Sequence, residues 1–390
     1  MVAALAAMGA GAAPVVEITS VQQQYPWTNT VDITYTSTGI AEENTYYVIF
    51  KAQDSAGNEI GVITNDLKVS QGSTWVAQWQ PPFNVRYENC TMTPYVYKGG
   101  MDDYMVVDLE TWQVTFEPMS TQDASNKKYT ANDYKTKKMV FRKIEPGTYK
   151  IGYANGAKNE SASGPNSAHD CVAPKAYYVA IYSCTEGQFR RITGDTSVAD
   201  TTLPKVQVSF NSVRGGAGAA ATPQTGVIAQ LNAKTASAGF ASGSGFDLPT
   251  ESMWEIAARA GATTQYIWGD TLSDYAAYAW VSDNSGGANR KNVGDKLPNA
   301  WGLFDMCGNV WDITRDVARN NSTDLATIST QAQNCLQPIT SGKAGYEVLC
   351  GTSSPDKLSR GFAAISQRWL DWTVSQSGVH VGFRIAFIPE

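Results

Sequence analysis

Histidine is almost missing from this sequence: His169 and His380 are the two among 390 residues. The six cysteines, Cys90, Cys171, Cys184, Cys307, Cys335 and Cys350, form no Cys-x-x-Cys pair. A zinc site built on Cys and His spacing is therefore excluded. Neither histidine stands near a nucleophile elbow, which removes a Ser/His/Asp hydrolase. Charge is also scarce, at 17% of residues with a net charge of −6. An acidic chain of this kind has no electrostatic footprint for nucleic acid or an anionic membrane. After the first residues, no apolar run approaches the roughly 18 residues that mark a membrane span.

What is plentiful is Gly, Ser, Thr, Asn and Trp, the composition of a loop-rich, secreted or cell-surface protein. The length is too great for one ordinary core, so two domains are expected. Residues 1–14, with Ala3-Ala-Leu-Ala-Ala-Met-Gly-Ala-Gly-Ala-Ala-Pro14, read as the apolar remnant of a secretory signal or as a flexible tail. In an exported chain, Cys335 and Cys350 would pair within one insertion, with Cys171–Cys184 as a second candidate. Spacing alone does not fix the connectivity.

Residues 15–118 read as an all-β module of immunoglobulin-like sandwich type. Val31–Tyr35 alternates, Tyr46–Lys51 and Trp75–Trp79 are strand-like, and Tyr104–Asp108 is expected to close the same module. Residues 119–137 are polar and turn-rich and read as a linker. Residues 138–390 form the second domain. It opens with two strands around Pro146-Gly147 and continues with a strand into a helix that Thr185 caps. Residues 213–245 read as a mobile surface connection with one helical stretch near Gly226–Ala233. The clearest helix is Thr250-Glu-Ser-Met-Trp-Glu-Ile-Ala-Ala-Arg-Ala260. Glu251 and Glu255 could be a general acid/base pair at i, i+4, but no nucleophile or metal motif accompanies them, and a structural role is expected.

The stretch Pro298-Asn-Ala-Trp-Gly-Leu-Phe-Asp-Met-Cys-Gly-Asn-Val-Trp-Asp312 organises this domain. Its apolar residues keep neither helix nor strand period, so it must be a buried loop whose backbone groups are satisfied by side chains, water or an ion. With Phe246–Gly261 and Gly382-Phe-Arg-Ile385, it resembles the formylglycine-generating enzyme (sulfatase-modifying factor) family from about Met139 to Phe387. That resemblance implies an α+β chain whose second domain has a C-type-lectin-type fold rich in irregular structure. It also implies a structural Ca²⁺ at Asn309, Val310 and Asp312, with Asp312 in place of the usual Glu; the alternative is a loop closed by hydrogen bonds alone.

The family's oxidases carry a copper-binding cysteine pair between an Arg-Gly-Gly-Ser-Trp-like segment and the closing Gly-Phe-Arg. Here Arg360–Arg384 contains no cysteine, so no copper site of that kind is recognisable. The histidine-held iron of the related sulfoxide synthases is equally unrecognisable. The segment instead resembles the patch of diversity-generating retroelement variable proteins, which display a hypervariable surface on this fold. Phe362, Ala363, Ala364, Ile365, Leu370, Asp371, Val379 and His380 are residue types reachable by adenine-directed change of an Asn codon, whereas Trp369 and Trp372 are not. These ten residues are the candidate ligand contacts, for a protein or glycan partner, with the tryptophans as aromatic anchors. The competing reading makes the segment the last strands of the core.

Overall fold

The structure is a computed structural model. It describes residues 15–389 apart from 25–29, 40–45, 56–58, 70–71, 73, 80–89, 99–102, 118–126, 153–167, 217, 241–244, 319–333, 341, 357–364 and 366–367. The chain divides into two compact units, one of residues 1–103 and 116–124, the other of residues 104–115 and 125–390.

The first unit holds two antiparallel three-stranded sheets. One is ordered β1 (Val15–Gln23), β2 (Val31–Thr38), β5 (Thr74–Trp79); the other is β4 (Glu59–Val69), β3 (Tyr46–Gln53), β6 (Thr91–Lys98). Period-two alternation puts Val31, Ile33 and Tyr35 of β2 in one core with Val48, Phe50 and Ala52 of β3. Tyr35 meets Phe50 edge to face, with ring centroids 4.9 Å apart.

The second unit is built on a six-stranded sheet and a four-stranded sheet. The first runs β13 (Phe246–Asp247), β18 (Ala386–Phe387), β12 (Tyr177–Ala180), β9 (Lys138–Ile144), β7 (Tyr104–Asp108), β8 (Val114–Glu117). The second runs β16 (Arg368–Thr373), β15 (Tyr346–Cys350), β14 (Trp311–Val317), β17 (Val381–Phe383), with β14 and β17 parallel. A two-stranded ladder joins β10 (Gly147–Ile151) to β11 (His169–Ala173).

Several expectations are corrected here. Tyr104–Asp108 does not belong to the first module: it pairs with β9 from Tyr104↔Arg142 to Asp108↔Lys138. The stretch read as a linker contributes a 3-10 turn at Lys127–Thr130 and α1 (Asp133–Thr136), with Tyr129 buried against Tyr104 at 4.7 Å between ring centroids. The two strands around Pro146 do not pair with each other but with β12 and β11. The Gly- and Ala-rich region folds as α3 (Phe210–Arg214) and α4 (Gly226–Ser237), whose Val227, Ile228 and Leu231 are buried. There Arg214 is fully buried and grips Asp247 at 2.6 and 2.8 Å.

Local signals hold where they are strongest. The helix α2 (Glu186–Thr193) starts on Thr185 with a reciprocal capping box through Gln188. In α5 (Glu251–Arg259), the Thr250 side chain accepts from Met253 N at 3.0 Å, and Ala260 ends the helix in the left-handed region at φ 48°. The short α6 (Tyr275–Tyr278) completes the helices of the described residues.

A fragment of residues 104–390 should therefore melt cooperatively. The fragment 138–390 lacks β7 and exposes one edge of β9. It also forfeits the burial of Tyr104, Met105, Val106 and Val107, worth roughly 1.5–3 kcal/mol per side chain. It should lose its sharp transition in a circular-dichroism melt.

Candidate ligand-contact surface and the buried centre beneath it

The central loop is satisfied by two asparagines. Asn299 donates from Nδ2 to the carbonyls of Ala257 and Ala258 at the end of α5, at 2.7 and 3.0 Å, and accepts from Trp301 and Leu303 N. Asn309 sits in the left-handed region at φ 66° and pairs with both backbone groups of Lys291, at 2.8 and 3.1 Å. Gly308 must be glycine, because a Cβ there would lie 2.5 Å from the carbonyl oxygen of Trp280.

The loop hands over to β14 at Asp312, which is buried. Its Oδ1 accepts from Ser183 Oγ at 2.9 Å; its Oδ2 accepts from Trp254 Nε1 at 2.9 Å and from Arg384 Nε at 3.2 Å. Arg384 also donates to the carbonyls of Ala180 and Phe304, at 2.7 and 2.8 Å. These partners favour the alternative of a loop closed by hydrogen bonds alone. The Asp312 carboxylate already neutralises a buried guanidinium, and the side-chain and main-chain oxygens of Asn309 accept from Lys291 N and Ser354 N. Asn309, Val310 and Asp312 therefore do not fit a bound Ca²⁺, since a dication would face Arg384 across the carboxylate it needs. Val310 is packed in the same buried stretch.

Glu251 and Glu255 are structural, through a partner that sequence reasoning missed. Arg368 in β16 donates to Glu251 at 2.8 Å and to Glu255 at 2.5 Å, and Arg259 donates to Glu255 at 2.7 Å. Burial pushes the Glu255 carboxyl up, but the charges of Arg259 and Arg368 and the N–H of Gly152 outweigh it and hold it below the usual range. Two carboxylates four residues apart in a helix buried all round require a cation, and that was the available signal for Arg368. Two other buried carboxyls go the other way. Burial, then the charge of Glu251, raises Asp316 to about 6; burial, then the charge of Asp316, raises Glu347 to about 9. Sequence reasoning singled out neither.

The ten candidate contacts separate sharply. Phe362, Ala363 and Ala364 lie outside the described residues. Ile365 is fully buried, its N–H donating to the Gln265 carbonyl at 3.0 Å. Along β16 the sides alternate: Leu370 is half-buried, Asp371 exposed, Trp372 buried. Trp369 lies in the same strand opposite Leu349, and Trp372 stands opposite the buried Glu347. Trp372 is thus corrected from exposed anchor to core residue, as is Ile365. Asp371 meets Lys343 at 2.8 Å; Val379 is exposed and His380 half-buried, its ring 6.3 Å from Trp372. Asp371, Val379 and His380, flanked by Leu370, remain available to a ligand.

A family model described as the sulfatase-modifying factor enzyme 1-like domain matches residues 125–387. The chain belongs to that family. Its start at residue 125 agrees with α1 and the 3-10 turn packing in the second unit. A formylglycine-generating enzyme of Mycobacterium tuberculosis is 36% identical over 85 residues, 19% of this chain and 28% of that protein. One of Thermomonospora curvata is 33% identical over 163 residues, 38% of this chain and 52% of that protein. The chain thus spans between about a quarter and a half of these curated relatives. Among solved structures, Treponema denticola variable protein 1 superposes with a TM-score of 0.50 at 19% identity, over 65% of this chain and 96% of that one. PvdO from Pseudomonas aeruginosa gives 0.51 at 20%, over 64% and 94%. These likenesses establish the fold of the family domain, mixed and β-rich with few helices, in keeping with the C-type-lectin-type expectation.

Three outcomes follow. Trp372→Ala should cost about 3–5 kcal/mol in urea unfolding, whereas Asp371→Ala and Val379→Ala should stay within about 0.5 kcal/mol. Chelation should leave the melting temperature unchanged, because the central loop is closed by Asn299, Asn309 and Arg384. Glu347 holds its proton more tightly when folded, so its contribution is complete below its ordinary value of 4.5 and is lost as pH rises through about 9. The melting temperature should therefore decline between about pH 4.5 and 9, and Glu347→Gln should flatten that decline.

Proposed function

We propose that this is an exported, non-catalytic ligand-binding protein. Its contact surface is the outward face of β16 and the turn leading to β17, centred on Asp371, Val379 and His380. The observation that carries this reading is the make-up of the segment Arg360–Arg384. It has no cysteine, and Arg368 anchors it to α5 while short exposed positions project between the anchors. Copper-dependent oxidation of a substrate cysteine in the manner of the family's oxidases needs two soft thiolates in that segment. A contact surface needs only a rigid frame and replaceable outward side chains.

The fold shared with a variable protein supports this reading. In it, the partner is a protein or glycan on another surface, and the N-terminal pair of sheets is a spacer of immunoglobulin-like type. The alternative is an oxidase acting on a protein cysteine, favoured by the names of the curated relatives.

Deep sequencing of codons 355–390 across a source population tests the binding class. Variation should reach Asp371, Val379 and His380 and spare Ile365, Arg368 and Trp372. Variation at those three buried positions would sink the proposed surface. Purified protein supplied with copper and oxygen should leave a cysteine-containing sulfatase-type peptide unchanged. Conversion of that cysteine to an aldehyde would establish the oxidase instead.

A further inference from the structure

The six cysteines were expected to pair, if at all, as Cys335–Cys350 and Cys171–Cys184. The contacts of the structure favour a different couple. Cys350 lies in β15 directly across from Arg368, and Cys184 directs its thiol to the carbonyl of Thr185 at 3.7 Å. Cys171, in β11, and Cys335 are instead neighbours. The N–H of Cys335 donates at 2.8 Å to the carbonyl of Val172, the residue next to Cys171, and the two thiols are near enough that each shifts the ionisation of the other. Both residues are fully buried. The Cys335 carbonyl takes the hydroxyl of Thr250 at 2.5 Å, so its backbone is fixed on both sides. Two neighbouring thiols, one next to a residue to which the other's backbone is bonded, are the natural partners for a disulfide.

We propose that Cys171 and Cys335 are joined by a disulfide when the chain folds in an oxidising compartment. The bond would tie β11 to the N-terminus of α5 through the Cys335 segment. The oxidant belongs to the class of small-molecule or protein disulfides, such as oxidised glutathione. One cysteine thiolate attacks it, releasing one glutathione thiol and leaving a mixed disulfide. The second thiolate displaces the other glutathione. Two protons and two electrons leave the protein, one S–S bond forms in it, and one S–S bond breaks in the oxidant. Because both sulfurs are buried in the finished domain, the exchange takes place during folding. The closed loop spans more than 160 residues, a length at which a cross-link restricts the unfolded chain strongly.

The full chain should be refolded in a mixture of reduced and oxidised glutathione and mapped by non-reducing peptide mass spectrometry. The expected result is one linked pair, Cys171 with Cys335, and four of the six thiols free under denaturant. Reduction should lower the melting temperature by on the order of 10 °C. Cys184→Ser and Cys350→Ser should retain the link, and Cys171→Ala/Cys335→Ala should melt identically with and without reductant. Six free thiols in refolded wild-type protein would overturn the proposal, as would a link through Cys184 or Cys350. The mapping is made on the wild type, so it decides even if a variant fails to fold.

Discussion

A buried ion pair between Asp312 and Arg384 holds the second unit together. Arg384 sits between two short strands that belong to different sheets, β17 in the four-stranded sheet and β18 in the six-stranded one. Its guanidinium binds the end of β12, the central loop and the first turn of β14. Asp312 gathers Trp254 from α5 and Ser183 from the segment after β12. The end of β12, the segment after it, the central loop, α5 and β14 are thus all tied to this pair. A charge in such a place is tolerable only with all its partners present; removing one partner from a buried pair costs about 3–5 kcal/mol.

The same logic explains the carboxylates of α5. A helix whose residues Glu251 to Arg259 are all buried cannot leave acids facing apolar neighbours. Arg368 reaches both from the opposite side, so β16 is fastened by charge as well as by its ladder to β15. What resembles an acid/base dyad by spacing is a clamp. The clamp has a consequence for the outward side: Asp371 and Leu370 sit two or three residues from an anchor that does not depend on their identity.

The sequence was legible where structure is set within a few residues. The cap at Thr185, the cap at Thr250 and the loop character of 298–312 are local, and each was read correctly from residue type and spacing. Strand membership was not local. Tyr104–Asp108 has the look of one more strand in a series, and only its ladder to β9, some thirty residues on, assigns it to the second unit. Burial of Trp372 was illegible for a similar reason. A tryptophan in an irregular, polar segment reads as exposed until the register opposite Glu347 fixes its side of the sheet. The Asp312 partner was illegible in a different way. A carboxylate in a loop suits a cation of either kind, and a guanidinium 72 positions away supplied it. The resemblance gave the fold correctly, but it could not say which elements of a family site this chain had given over to packing.

The split between β17 and β18 has a bearing on how the chain is made. Residues 381–387 complete both sheets of the second unit, as a strand between β12 and β13 in one and as the edge strand beside β14 in the other. Neither sheet can close while those residues are inside the ribosome exit tunnel. The first unit, whose strands all precede residue 104, can form while synthesis continues. Synthesis therefore imposes an order on folding, with the first unit able to form before the second can be completed.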